Sequence, residues 1–134
     1  MSKSNLQIYL HIVFSTKNRR HSIYPEVEKA LYPFIWKKIK ELNCEPLAVN
    51  GMADHIHILL KFDGRREIPE LVKRLKGSSS KFINDGFEIP AGFKWQRGYG
   101  IFSVSPKDVT MIHTYIKKQK EHHNHHSIKD EYEI

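Results

Sequence analysis

The stretch that decides the fold is DHIHILLKF, residues 54–62. It lies in a predicted strand over residues 53–62, and the side chains of a strand alternate between its two faces. His55 and His57 therefore project from one face, about 7 Å apart along the strand. Ile56 must point to the opposite side, where a hydrophobic core would receive it. Two imidazoles held side by side on a rigid strand can form half of a metal site.

The segments around this strand carry clear periodic patterns. Residues 6–16 alternate between apolar and polar side chains, which predicts a strand with one buried face. Two further strands are predicted over residues 45–49 and 95–104, and Asn50-Gly51 is a tight-turn signal between the second and third strands. Helical spacing begins at Pro25 and runs to about residue 42, with a kink or break expected at Pro33. A second helix begins near Pro69 and ends at Asn84-Asp85-Gly86.

The order of elements is β-α-β-β-α-β-α. The first six suit an α+β fold of the ferredoxin-like plan, a four-stranded antiparallel sheet with two helices on one face. A last helix, from about residue 109 to about residue 122, is additional to that plan and follows the entry signal at residues 105–108. The length of 134 residues predicts a single domain over 1–134, with a polar tail from about residue 123 to 134.

The composition favours a polyanionic partner. Lys and Arg number 22 against 15 Asp and Glu, which gives a net charge of +7. Such a balance in a short chain points first to nucleic acid. No stretch approaches the ~20 apolar residues that a membrane span needs, and the N-terminus lacks a signal-peptide cleavage site, so we expect a cytoplasmic protein without a membrane partner. Cys44 is the only cysteine, which excludes an internal disulfide.

The last helix carries a second candidate group. Tyr115 and Gln119 are four residues apart and share one face of a continuous helix. Met111 precedes them on that side, where all three could look toward the histidines. The neighbouring stripe that can anchor the helix to the sheet comprises Val109, Ile112 and Ile116. Taken alone, Tyr115 also fits an aromatic residue at the edge of the core, and an isolated His-x-His also fits one buried and one exposed histidine.

Together these motifs resemble a known family. His55-Ile56-His57 resembles the HUH motif, two histidines around a hydrophobic residue, and Tyr115 with Gln119 resembles the Tyr-x-x-x-Gln motif of the short single-tyrosine transposases of bacterial insertion sequences. The similarity extends to LHIVFSTK at 10–17, RLKGSS at 74–79 and QKEHH at 119–123. It spans nearly the whole chain in the family's order and spacing.

The resemblance implies a reaction and its residues. Tyr115 would be the catalytic nucleophile, attacking single-stranded DNA at hairpin-marked element ends and forming a 5′-phosphotyrosine that a 3′-OH then resolves. His55, His57 and Gln119 would hold a divalent metal, Mg²⁺ or Mn²⁺. Family members form homodimers, often by pairing edge strands, and the tyrosine helix can serve the partner's HUH site. The connector at residues 105–108 could direct the helix to either site.

Basic side chains predicted to follow the DNA backbone are Lys17, Arg19, Arg20, Arg65, Arg66, Lys73, Arg74, Lys76 and Lys81. Three aromatic residues, Trp95, Tyr99 and Phe102, fit either stacking on unpaired bases or packing in the core. Two alternative functions stay open at this point. One is a non-catalytic, domesticated relative that binds hairpin DNA or RNA as a regulator, and the other is a metal-dependent phosphodiesterase that releases its product by hydrolysis.

Overall fold

The computed structural model describes residues 4–124. In this range the strands are β1 (Ile8–Ser15), β2 (Glu45–Met52), β3 (His55–Phe62) and β4 (Gly100–Val104). The α-helices are α1 (Pro25–Glu41), α2 (Ile68–Gly86), α3 (Val109–Lys117) and α4 (Gln119–Asn124). The predicted tail lies outside the described residues beyond Asn124. None of the described helices is long and apolar enough to cross a membrane.

The four strands form one antiparallel sheet in the order β2-β3-β1-β4. This is the predicted ferredoxin-like plan, and it is confirmed. α1 and α2 contact each other and share one core with the sheet. α3 contributes to a second core together with Ala48, Leu59 and Val104, and it contacts β2 and β3. The additional helix therefore covers the face that α1 and α2 leave open.

Because helices cover both faces of the sheet, the central strand β1 is buried on both of its faces. Leu10, Ile12 and Phe14 of β1 pack in the core beneath α1 and α2, as their alternation predicts. His11 and Val13 point to the other face and are also fully buried. The expectation that β1 has only one buried face is wrong, because α3 removes the second face from solvent.

The turn between β2 and β3 lies later than predicted. Asn50 and Gly51 continue β2 as far as Met52, and the turn falls at Ala53 and Asp54. A Cβ added to Gly51 would lie 2.1 Å from the carbonyl oxygen of His55. Gly51 thus permits a close approach of two strand backbones instead of supplying a turn.

Three other boundaries differ from the predictions. α1 runs through Pro33 without a break; Pro33 is exposed, so water can satisfy the carbonyl that loses its helical donor. β4 begins at Gly100 and not at residue 95, because Gly98 has a φ of 82° and Trp95 forms only an isolated bridge with Thr16. The last helix is interrupted at Lys118, whose φ and ψ are −99° and 21°.

The close approach at Gly51 can be tested by Gly51→Ala. We expect the free energy of unfolding to fall by about 1–3 kcal/mol or more, because the added methyl group meets backbone atoms that cannot turn aside. The matched control is Gly77→Ala, which lies inside α2 with no atom within 4 Å of the added Cβ and should gain about 0.5–1 kcal/mol. Urea unfolding measures both, and equal effects would contradict the role assigned to Gly51.

Candidate active site

The two histidines of the HUH-like motif lie on the face of the sheet that α3 covers. His55 and His57 are 1% and 0% exposed, and in the register of the sheet they lie opposite Ser15 and Val13 of β1. Ile56 points into the core beneath α1 and α2. The prediction that the two imidazoles share one face and Ile56 takes the other is confirmed.

A carboxylate orients the first histidine. Nδ1 of His55 donates to Oδ1 of Asp54 at 2.7 Å. Burial opposes ionisation of the Asp54 carboxyl, but the hydrogen bond to His55 and the charges of His55, Arg19 and His21 outweigh it and hold the pKa of Asp54 below its usual value. With Nδ1 occupied as a donor, the lone pair of a neutral His55 is on Nε2.

A third histidine, which was not among the predicted site residues, contacts the second. Nε2 of His11 lies 2.8 Å from Nδ1 of His57, and both side chains are fully buried. The two rings are 5.0 Å apart between centroids and nearly parallel, at 26°. Because His11 and His57 are 46 positions apart in the chain, only the pairing of β1 with β3 brings them together.

α3 and α4 bring Tyr115 and Gln119 to the same face. The Tyr115 ring is 5% exposed, 5.8 Å from the ring of His57 and 6.3 Å from that of His11. Oε1 of Gln119 lies 3.5 Å from Nε2 of His55. Met111 is 50% exposed and lines a small surface pocket that His11 also lines.

The interruption at Lys118 alters how Tyr115 and Gln119 come together, because they do not share one continuous helix as predicted. Nδ2 of Asn50 donates to the carbonyl oxygens of Ile116 and Lys117 at 3.0 and 3.1 Å and so satisfies the end of α3. In α4, Nζ of Lys120 donates to the Gly51 carbonyl oxygen at 2.9 Å. These contacts hold both sides of the break against β2.

The donor set suits a divalent cation. Nε2 of His55 lies 3.5 Å from Oε1 of Gln119, and when Nε2 carries no proton these two atoms are the kind of nitrogen and oxygen ligands that a divalent cation binds. Gln119 is fully buried, and its Nε2 has no hydrogen-bond partner among the described residues. Across residues 4–124 no three His, Cys, Asp or Glu side chains form a metal-ligating group, so a metal here depends on the Gln119 amide.

Comparison with known proteins identifies the family. The transposase of insertion sequence element IS200 from Salmonella typhimurium strain LT2 is 33% identical over 116 residues, which cover 83% of this chain and 76% of that protein. Residues 4–119 match the sequence family described as IS200-like transposases. The chain belongs to the IS200-like transposase family. The predicted family is therefore confirmed, and the chain is a transposase.

Further relatives of this transposase include the ISDra2 transposase TnpA of Deinococcus radiodurans, 27% identical over 84% of each chain. A crystal structure of a candidate transposase of Deinococcus radiodurans R1 superposes with a TM-score of 0.70 at 27% identity and covers 89% of this chain and 98% of that one. A REP-associated tyrosine transposase, solved bound to a REP hairpin, has a TM-score of 0.68 and covers 92% and 74% of the two chains. At 17% identity it shows the fold alone.

One predicted basic group of this transposase lies beside the candidate site. Lys17 and Arg20 line a surface pocket of about 160 Å³ together with Lys94, which was not predicted. The hydroxyl of Thr16, between β1 and this loop, donates to the carbonyl oxygens of Arg20 and Asp54 at 2.6 and 3.2 Å. Nε of Arg19 lies 3.9 Å from the Asp54 carboxylate. The loop is thereby tied to the residue that orients His55.

The other predicted basic residues are distributed elsewhere. Arg65 and Arg66 follow the far end of β3, roughly 20 Å or more from His55. The four on α2 belong to a helix that packs on the opposite face of the sheet. Two of these form ion pairs within the helix, namely Arg74 with Glu70 at 2.8 Å and Lys81 with Asp85 at 2.7 Å. Only the loop at residues 17–20 is brought next to the candidate site.

Of the three aromatic residues singled out in the sequence, two pack in the core and one lies beside the candidate site. Trp95 packs edge-to-face on Phe14 at 4.7 Å, and its indole N–H donates to Ser79 at 2.9 Å. Tyr99 packs against the same core. Phe102 lies on the α3 face, half-buried, with its ring 5.7 Å from that of His11. Packing in the core accounts for Trp95 and Tyr99, whereas Phe102 borders the site.

The surroundings of Lys76 generate a prediction. Its Nζ donates to the carbonyl oxygens of Gln96 and Gly98 at 2.6 and 2.9 Å, and burial lowers its pKa. Lys76→Met should therefore reduce the free energy of unfolding by about 1 kcal/mol, allowing for partial solvent screening. Lys73→Met, which removes the same charge from an exposed position of the same helix, should change it by less than about 0.5 kcal/mol. Equal urea midpoints for the two variants would remove the structural role of Lys76.

Proposed function

We propose that this transposase cleaves and rejoins single-stranded DNA at hairpin-marked ends, with Tyr115 as the nucleophile. The observation that carries the proposal is the meeting of three separate elements on one sheet face. β3 contributes His55 and His57, α3 contributes Tyr115, and α4 contributes Gln119, with ring and atom separations of 3.5 to 5.8 Å among them. Family membership over residues 4–119 supports the assignment of transposase chemistry to this group.

The proposed reaction balances without a nucleotide cofactor. The phenol oxygen of Tyr115 attacks the phosphorus of a phosphodiester, and the bond from phosphorus to the 3′ oxygen breaks. The phenol proton passes through solvent to the departing oxygen, which leaves as a 3′-OH, and the other fragment stays attached as a 5′-phosphotyrosine. A second 3′-OH then attacks that linkage and regenerates the phenol. One phosphoester bond is formed for each one broken in both steps.

A divalent metal is part of the proposal, because IS200-like transposases generally depend on one. His55, His57 and Gln119 would hold Mg²⁺ or Mn²⁺, and two imidazole ligands favour Mn²⁺ over Mg²⁺. When bound, the metal would polarise the scissile phosphate and offset the charge that develops on it. Asp54 holds the His55 ring in position, and the buried seat of Tyr115 restricts the directions from which its oxygen can attack.

The basic loop at residues 17–20 is proposed as the main contact with the DNA strand near the site. Lys17 and Arg20, with Lys94, present positive charge next to Asp54 and His55, where the backbone of a strand entering the site would pass. Such contacts give affinity and depend on salt. The remaining predicted cations on α2 and after β3 stay candidates for contacts with a hairpin stem further from the reacting phosphate.

The nucleophile is tested by Tyr115→Phe. The substitution removes one hydroxyl, so we expect a folded protein whose covalent adduct with a hairpin-bearing single strand falls by on the order of 10³-fold or more. Adducts are counted on denaturing gels with Mn²⁺ present. Tyr9→Phe is the matched control, since Tyr9 packs beside the same core on the same sheet face, and it should keep normal adduct yield.

The same assay separates the alternative functions. Adduct formation by Tyr115→Phe at the wild-type level would refute the assignment. Cleavage without an adduct would favour the hydrolytic phosphodiesterase, and tight hairpin binding without cleavage would favour the regulator. Removal of metal with a chelator should abolish cleavage by the wild-type protein while leaving most single-strand binding, which rests on distributed Lys and Arg side chains.

A homodimer is proposed as the working assembly. Joining two DNA ends requires two nucleophiles held together, and each chain offers one candidate, Tyr115. A two-fold dimer is the smallest symmetric solution. The ring separation of 5.8 Å between Tyr115 and His57 of the same chain supports sites that each form within one subunit. The arrangement in which the tyrosine helix serves the partner subunit is the alternative.

Mixed dimers distinguish the two arrangements. Tyr115→Phe chains are combined with chains that carry both His55→Ala and His57→Ala, and mixed dimers are verified by differential tagging. Each variant is expected to be inactive alone. A site formed within one chain predicts no adduct from the mixture, because neither chain holds a complete set. Recovery of up to about half the adduct yield per dimer would instead establish sharing between subunits. A strictly monomeric protein on DNA would contradict the dimer itself.

A further inference from the structure

His11 lies outside the proposed ligand set but directly behind it. Its Nε2 is 2.8 Å from Nδ1 of His57, and neither side chain is reached by solvent. A contact this short between two imidazole nitrogens requires one proton between them. The proton can belong to His57 or to His11, and the two cases differ in what His57 can do.

The two cases set opposite tautomers of His57. If His57 Nδ1–H donates to His11, the lone pair of a neutral His57 lies on Nε2, on the far side of its ring. If His11 donates instead, Nε2 of a neutral His57 carries the proton and cannot bind a metal. His11 is on β1, whereas Gln119 belongs to α4, which contacts β2 on the other side of β3. Because Nδ1 of His57 faces His11 on β1, a lone pair on Nε2 lies on the edge of the ring away from His11.

We propose that His11 is a positioning residue that accepts the Nδ1 proton of His57 and so keeps the Nε2 lone pair of His57 directed into the metal site. This inference rests on the proposed ligand role of His57, but its effect on the tautomer does not require catalysis. It gives each histidine of the motif its own acceptor, namely Asp54 for His55 and His11 for His57. Such hydrogen bonds fix ring orientation and tautomer in metal sites.

The two acceptors differ in charge, because Asp54 is a carboxylate and His11 is an imidazole. Asp54 is an anion and is balanced by the nearby positive charge of Arg19. A second carboxylate beneath His57 would add negative charge on the buried face that a phosphodiester must approach, and like charges repel strongly where water is excluded. A neutral imidazole orients His57 without that charge.

The tautomer is measured directly by NMR on protein labelled with ¹⁵N-histidine and freed of metal. The couplings between ring nitrogens and carbon-bound protons distinguish Nδ1–H from Nε2–H, and the His57 signals are assigned by their loss in His57→Asn. We expect Nδ1–H in the wild-type protein. His11→Phe removes the acceptor and should shift His57 toward Nε2–H, whereas His11→Gln, whose amide oxygen can accept, should restore Nδ1–H.

Metal affinity provides the second readout. Mn²⁺ binding followed by electron paramagnetic resonance should weaken by about 10–100-fold in His11→Phe and recover most of that loss in His11→Gln. Ser79→Ala is the stability control, because it removes buried hydrogen bonds with Leu75 and Trp95 on the opposite face of the sheet. It should lower the unfolding midpoint without changing Mn²⁺ affinity.

Three outcomes would overturn the proposal. They are Nε2–H on His57 in the wild-type protein, an unchanged His57 tautomer in folded His11→Phe, and a loss of Mn²⁺ affinity in Ser79→Ala equal to that in His11→Phe. Failure of the transposase chemistry is distinguishable from these. A wild-type protein that forms no DNA adduct but keeps Nδ1–H on His57, lost in His11→Phe, refutes the proposed reaction and supports the role of His11.

Discussion

The antiparallel pairing of β1 with β3 is the constraint on which the rest of the structure depends. These two strands form the centre of the sheet, and both of their faces are covered by helices. Because side chains alternate, a slip of one residue would exchange the faces of a strand. In β3 it would move His55 and His57 into the apolar core and bring Ile56 out of it. The register that fills the core is thus the same register that assembles the candidate site.

Burying three imidazoles on one sheet face is costly unless their polar atoms are paired, at about 1–3 kcal/mol for each unsatisfied group. The structure meets this cost through Asp54 and through the contact between His11 and His57. α3 closes the face with apolar side chains of its own, since Ile112 and Ile116 pack in one cluster with residues of β2, β3 and β4. The polar site is therefore a buried group of hydrogen-bonded side chains surrounded by apolar packing.

In α3 and α4, tertiary contacts override a local sequence pattern. Residues from 109 onward have the composition of one continuous helix, in which Tyr115 and Gln119 would share a face. Asn50 instead takes the carbonyl oxygens at the end of α3, and Lys120 anchors the next turn to β2. These contacts flank the break at Lys118 on both sides. Both side chains still lie beside the histidines, although they do not share one continuous helix as their spacing predicted.

By itself the sequence determined the alternation of strands and helices, the shared face of His55 and His57, and the family, because side-chain period and motif spacing are local properties of the chain. Only the tertiary structure decided which distant residues meet these groups. The contact between His11 and His57 depends on strand register, and the close approach at Gly51 depends on the neighbouring backbone. The basic residues look like one population in the sequence, yet of the nine predicted ones the fold brings only those of the loop at residues 17–20 to the site, beside Lys94. Periodicity indicates which face of its own helix or strand a side chain occupies. A site is defined instead by contacts between elements, and these contacts exist only after the sheet has formed and α3 has packed on it.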